Sequence, residues 1–396
     1  MPHSGATMTF ALATVLLAAG PAFPQTSSSD AAKAAATSAP TADVYVQTQS
    51  GVDVYNADAA GQLTLVKGSP FNDTGQMEGI NGAHLISVGT YELHAYPIAS
   101  DGAIGSQAAV IDTQSFAGSQ CGSTTGPSLL DHTGEFFAVG LAGTTTNDCS
   151  SLQTYKVAAN GQFTFLGDAV STDGVHSTAY QVGVTTYSSN DLFAYGVQST
   201  QVATAFLAYR RDTAGDLVAD GSFTEKDPTP NPSVSSANYL PILVAADNAS
   251  HLAVVMNMPF STNDNVFQFA SYTINDSTGA IASTNTWANM PTLAYYPYSL
   301  AMSWSGQYAA VGESAGLQVY HFNGAAPVTA DGGTLLSNIP IDQVEWDKQN
   351  HLYALSYEQE KLYVFNVGTS GITQASGSPY TVDKPYGWVG LIVVPK

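Results

Sequence analysis

Apolar and polar residues trade places in short beats along this chain. In VDVYNADAAGQLTLVKGSPF (52–71) they alternate up to an aromatic residue, pass through a Gly-containing stretch and alternate again, which is two strands joined by a turn. The same phrase returns as LHAYPIASDGAI (93–104), LQTYKVAANGQFTF (152–165), LAYRRDTAGDLV (207–218), ASYTINDSTGAI (270–281), LQVYHFNGAAPVT (317–329) and VFNVGTSGITQASGSPY (364–380). Its aromatic landmarks are Tyr55, Tyr96, Tyr155, Tyr209, Tyr272, Tyr320 and Phe365. A second hairpin precedes most of them, as in PSLLDHTGEFFAVG (127–140) and YSLAMSWSGQYAAVG (298–312). After residue 41 no stretch carries the 3.6-residue period of an amphipathic helix.

Seven copies, with landmarks 41 to 63 residues apart, each hold four short strands. That is the content of a propeller blade; a solenoid coil is shorter, and two sandwiches would not repeat one hairpin at these intervals. The fold class predicted is all-β, a seven-bladed β-propeller of four-stranded antiparallel blades. The first copy, from ADVYVQTQ (42–49), lacks an innermost strand, and the chain ends on an unpartnered one, YGWVGLIVVPK (386–396). If the last strand enters the first blade the ring closes and no raw sheet edge is left. The two closest echoes would then lie at the two ends of the chain because the termini are neighbours.

Composition sharpens this picture. Only 10% of the 396 residues are charged, while Tyr, Thr, Val, Ser and Gly abound, a balance that favours strands and turns over helices. Formal net charge is −21, a field that repels nucleic acid and anionic membrane surfaces, so neither is an expected partner. The same charge suits an acidic medium, in which protonating carboxylates relieves self-repulsion. The stretch ALATVLLAA (11–19) is too short to span a bilayer and runs into GPAFPQ, so residues 1–25 read as a signal peptide. Residues 26–41 follow as a low-complexity linker and 42–396 as the propeller. The expected location is periplasmic or extracellular; because the segment before the apolar run has no Lys or Arg, a cytoplasmic protein with an apolar start is the alternative. In an exported chain the cysteines, Cys121 and Cys149, are expected to form a disulfide worth about 3 kcal/mol, two buried thiols being the alternative. Cys121 ahead of the third blade's innermost strand and Cys149 in the loop after its second would emerge on the same face.

The wording of the blades, above all VYNADAAGQLTLVKGSPF and YVFNVGTSGITQASGSPY, resembles the seven-bladed lactonase-type propellers, the group of 6-phosphogluconolactonase-like enzymes and YVTN-type secreted repeats, over about residues 42–396. The resemblance implies an Arg-His pair at the mouth of an innermost strand, a His-Pro-Asp-Gly-like turn after it and an acidic residue after the next strand. In YPYSLAMSWSGQYAAVGES (296–314), Tyr298 and Ser299 stand where Arg-His is implied, Ser303, Trp304 and Ser305 replace most of the turn, and Glu313 falls within one residue of the acidic position. Both arginines, Arg210 and Arg211, follow the Tyr209 landmark on an outer strand, so a phosphorylated lactone finds no Arg clamp. No cofactor motif, phosphate loop or metal-ligand spacing stands out, and neither a cofactor nor a metal is expected. The polar STNDN loop (261–265) reads as solvated rather than as a Ca²⁺ site.

Where the chain leads into the innermost strands, aromatic and neutral polar residues gather. Tyr180, Tyr239, Tyr295, Tyr296, Tyr298, Gln343, Tyr386 and Trp388 form the expected ligand-binding set, because flat apolar rings beside amides suit sugars and other neutral polar compounds. Rings packed between blades are the structural alternative. Catalytic candidates are Glu313, Asp342 and His176 as activators of water. Three functions stay open at this point: a monomeric propeller binding a small neutral ligand or a protein partner at its axial face with little or no catalysis, a hydrolase of an uncharged lactone, and a structural surface scaffold.

Overall fold

A computed structural model describes residues 39–72, 75–89, 91–113, 121–124, 128–144, 147–171, 181–199, 205–224, 226–229, 231–232, 239–258, 266–387 and 389–396. They fold into seven antiparallel sheets. In each, strands A to D run outward from the axis, so the D-to-A and B-to-C connections share one face, called upper, and the A-to-B and C-to-D turns the other. Blade 1 takes B, C and D from Ala42–Thr48, Gly51–Ala57 and Leu63–Leu65, and its strand A is the chain's last, Leu391–Pro395. Blade 2 is Gln76–Ile80, His84–Val88, Glu92–Pro97 and Ala109–Asp112. Strand A of blade 3 comes in two pieces, Cys121–Thr124 and Leu129–Leu130, followed by Phe136–Thr144, Asn147–Val157 and Phe163–Ser171. Blade 4 is Gln181–Tyr187, Phe193–Ser199, Ala205–Arg211 and Leu217–Ala219, and blade 5 is Leu240–Ala246, His251–Met258, Val266–Ile274 and Ile281–Ala282. Pro297–Met302, Tyr308–Glu313, Gly316–Asn323 and Ala326–Ala330 make blade 6; Gln343–Trp346, His351–Ser356, Lys361–Gly368 and Gly371–Gln374 make blade 7.

All seven aromatic landmarks fall in strand C and are buried. The alternation that marks these strands does not separate inside from outside. In Ala42–Thr48, Val44 and Val46 pack toward blade 7 while Tyr45 packs toward blade 2, so the strand is buried on both sides. Seven apolar clusters result, one for every pair of neighbouring blades, and the last joins blade 7 to blade 1. Ala42 to Val46 pair with Pro395 to Leu391, which closes the ring as the sequence predicts. The echoing ends build alike: Val54 N–H donates to Ser69 Oγ at 3.1 Å and Val364 N–H to Ser378 Oγ at 2.9 Å, each serine preceding a cis-proline. Tyr380 then reaches across to accept the Leu63 N–H at 2.9 Å.

Lower-face turns are fastened by their own side chains. Asp247 Oδ1 accepts the N–H groups of Ala249 and His251, and Asp347 Oδ1 those of Gln349 and His351. The second oxygen of each aspartate meets the histidine ring at 2.8 and 2.7 Å. Ser188 and Ser303 cap Phe193 and Tyr308 in the same place with hydroxyls. In blades 1 to 6 the C-to-D turn places a glycine at positive φ against the preceding blade. At Gly279 (φ 70°) an added Cβ would lie 2.5 Å from the Phe193 ring of blade 4. Gly279→Ala therefore combines left-handed strain with overpacking and is expected to cost about 2–4 kcal/mol, read as a shift in urea midpoint.

Three expectations need restating. Cys149 lies within strand C of blade 3 rather than in the loop before it, and Cys121 begins strand A, on the other side of strand B. The side chains of both cysteines, and so the expected disulfide, lie outside the described residues. Residues 1–38, which hold the expected signal peptide, lie outside them too. Among the described residues no helix is long and apolar enough to cross a membrane.

Candidate functional site

The upper face is shaped by bulges in strand A. In blade 6, Pro297 pairs with Glu313 and Ser299 with Gly312, so Tyr298 is an extra residue and stands 43% exposed within a mostly buried strand. Blade 2 repeats the device: Met77 pairs with Ser87 and Gly79 with Ile86, leaving Glu78 as the extra residue. A bulge bends its strand and re-aims one side chain, exposing Tyr298 in blade 6 and turning Glu78 onto the Ser128 N–H beside blade 3.

Around Tyr298 the rings form a ladder. Phe267 of blade 5 meets Tyr296 edge to face at 5.0 Å, and Tyr296 lies 5.9 Å from Tyr298. Tyr295 and Tyr296 are exposed as well. Glu313, only 2% exposed, holds this lead-in segment: its Oε2 accepts the Tyr295 N–H at 2.8 Å, and the Ser314 N–H donates to the Tyr296 carbonyl at 2.8 Å. Asp342 plays the matching part in blade 7, its Oδ2 accepting the Tyr357 N–H at 2.7 Å. Burial raises the pKa of both acids above the ordinary carboxylate range against the pull of those N–H groups.

Two further acids belong to the strands A on either side of the closing strand. Glu78 is buried, its Oε2 accepting the Ser128 N–H at 3.0 Å, and burial pushes its pKa up to about 8. Glu345 in blade 7 keeps partly accessible surface yet is enclosed by protein, and burial pushes it up to about 7. A carboxyl raised in the fold contributes stability that is complete below its unfolded value near 4.5 and is lost as pH climbs to the folded value. His84, lowered by burial, works the other way below its ordinary value. The acids outweigh it, so the melting temperature is expected to rise from pH 8 to pH 5. Glu78→Gln should flatten that rise, and a melting curve unmoved over this range would contradict the assignment.

Of the other expected residues, Gln343 opens strand A of blade 7, half-buried and two positions from Glu345. Tyr386 is exposed on the approach to the closing strand and accepts a long 3.5 Å hydrogen bond from Gln47 Nε2. Tyr239 is placed differently: 3% exposed, it packs between blades 4 and 5 and donates to Gln268 Oε1 at 2.9 Å, so the interblade alternative holds there. His176, Tyr180 and Trp388 lie outside the described residues. Glu345 was legible as a lone acid in QVEW, where Val344 and Trp346 claim the packed side; no such signal marks the bulges.

Neither arginine stands on the upper face. Arg211 ends strand C of blade 4 on the lower face, paired with buried Asp131 at 3.3 Å and laid over the Phe136 ring at 4.3 Å. Arg210 lines an outer cleft of about 420 Å³ between blades 4 and 5. His132 also lies below, 2.6 Å from Asp191. Among the described residues no group of three or more His, Cys, Asp or Glu side chains could hold a metal ion.

A putative 6-phosphogluconolactonase from Bacteroides uniformis superposes with a TM-score of 0.62 at 11% identity, over 89% of this chain and 99% of that one. Its counterpart from Bacteroides fragilis gives 0.59 at 11% identity, over 89% and 98%. The fold is that of the 6-phosphogluconolactonase-like propellers. A periplasmic gluconolactonase from Pseudomonas aeruginosa matches at 0.59 and 15% identity, over 89% and 99%. No family model and no curated protein matches the chain in sequence. On this lactonase-like fold the mouth of blade 6 carries tyrosines and a tethered glutamate.

Proposed function

We propose that the protein is an exported lactonase-like propeller that binds a neutral polar ligand, carbohydrate in character, on its upper face. The observation that carries this reading is the ladder of exposed rings at Tyr296 and Tyr298 beside the buried Glu313, on a face without arginine. Such a surface stacks on apolar ring faces and offers acceptors to hydroxyls, while an anionic substrate meets repulsion. Glu313 and Asp342 serve as fasteners of loop backbone, which leaves little room for either as a base. A glycan screen should find a ligand whose affinity falls about tenfold on Tyr298→Ala and likewise on Trp388→Ala, the loss of one stacked ring being worth roughly 1.4 kcal/mol. Unchanged binding in both variants removes the site.

A second reading, hydrolysis of an uncharged lactone with Glu313, Asp342 or His176 activating water, is favoured by the raised pKa values of the two acids, since a general base works best near the ambient pH. Purified protein offered sugar and aliphatic lactones separates the two: hydrolysis above the buffer rate that falls on Glu313→Gln supports the hydrolase. Export is supported by the apolar leader read from the sequence and by a structural neighbour that is periplasmic by name.

A further inference from the structure

The ladder has a floor. Asn257 is in strand B of blade 5 and pairs in register with Phe267 on strand C, so the two side chains share the face turned toward blade 6. Its Oδ1 is buried without a hydrogen-bond partner. Leaving such an acceptor unmet costs free energy that a Leu of similar size would not incur, so it stands out as a group awaiting a donor. Phe267, which shares that face, meets the exposed Tyr296 ring edge to face at 5.0 Å, and Tyr296 in turn lies 5.9 Å from the exposed Tyr298.

We infer that the upper end of the groove between blades 5 and 6, off the central axis, is a subsite for one pyranose ring. Resting on the ligand-binding reading above, the inference adds both place and class. The sugar's apolar face lies on Tyr298, while Tyr296, 5.9 Å away and tilted 54° to it, bounds one side. One sugar hydroxyl donates to Asn257 Oδ1, and the amide, held by no hydrogen bond among the described residues, turns about its side-chain torsion to receive it. A ligand lacking that hydroxyl leaves the oxygen unmet and binds less well, so the subsite discriminates among sugars.

The test titrates the full chain with methyl glucopyranoside, methyl galactopyranoside, methyl mannopyranoside, cellobiose and maltose by calorimetry and saturation-transfer NMR. For the sugar that binds, Asn257→Leu and Tyr298→Ala are each expected to weaken affinity about tenfold, and Trp304→Ala, on the lower face, less than twofold. Asn257→Leu should melt at or above the wild-type temperature, which shows that lost binding is not lost folding. Against the monodeoxy sugar missing the recognised hydroxyl, wild type and Asn257→Leu should bind equally, because the same bond has been removed twice. Binding that survives Asn257→Leu but disappears with Tyr386→Ala would put the ligand at the axis and overturn the subsite while keeping the upper-face reading. Failure of every pyranoside to bind overturns the inference too, and the upper-face reading is then judged by neutral lactones whose binding depends on Tyr298.

Discussion

A chain truncated before Leu391 is expected to lose cooperative folding. Strand A of blade 1 exists only because Leu391–Pro395 pairs with Val46 to Ala42. Its removal strips five backbone partners from an inner strand and takes Leu391 and Val393 out of the cluster joining blade 7 to blade 1. Burying such side chains contributes about 1.5–3 kcal/mol each, and the exposed inner edge adds unmet hydrogen bonds, so the loss reaches about 5–10 kcal/mol. A whole domain holds only about 5–15 kcal/mol in reserve. Circular dichroism should show no sharp melting transition, and a synthetic peptide of residues 386–396 added in trans should restore one. A truncated chain melting within a few degrees of the intact protein would mean that the ring is held by something else.

Arg211→Met should be the most damaging single substitution away from the upper face. The guanidinium is 8% exposed, binds Asp131, itself 1% exposed, and donates to the Asp191 and Gly215 carbonyls at 2.8 and 3.0 Å. Removing it leaves the Asp131 carboxylate buried and unpaired, a cost of about 3–5 kcal/mol. Burial already raises the pKa of that carboxyl. Arg211→Met combined with Asp131→Asn keeps the turn-capping oxygen and removes the stranded charge, so the pair should cost clearly less than the sum of its parts in a urea-unfolding cycle. Arg210→Met, an exposed neighbour with no ion pair among the described residues, should change stability by less than about 0.5 kcal/mol.

The architecture was legible because each strand C ends near a large aromatic and each C-to-D turn holds a glycine, so seven blades could be counted without a helix to confuse the period. Closure was legible from the unpartnered final strand. Burial on both sides of the inner strands was not, since alternation between two packed interfaces looks in sequence like alternation between core and solvent. Tyr298 was named from its neighbourhood in YYPY, but the bulge that exposes it leaves no mark, because one extra residue in a strand has no composition of its own. Tyr239 shows the converse: its aromatic character cannot tell a ring awaiting a ligand from one already bonded to Gln268. Asn257 stayed hidden because an unmet acceptor is a relation between elements, and a lone Asn near a strand end carries no sign of it.

The side-chain caps on the lower turns have an evolutionary consequence. Asp247 and Asp347 each tie their turn to backbone amides within four residues, so the fastening belongs to the blade itself and travels with it when a gene segment is copied. Among the described residues the ties on the opposite face span longer stretches, Glu313 to Tyr295 and Asp342 to Tyr357, so loops there can change composition from blade to blade. Heritable rigidity on one side thus leaves the other open to experiment, and new specificities can arise there without the ring having to be reinvented.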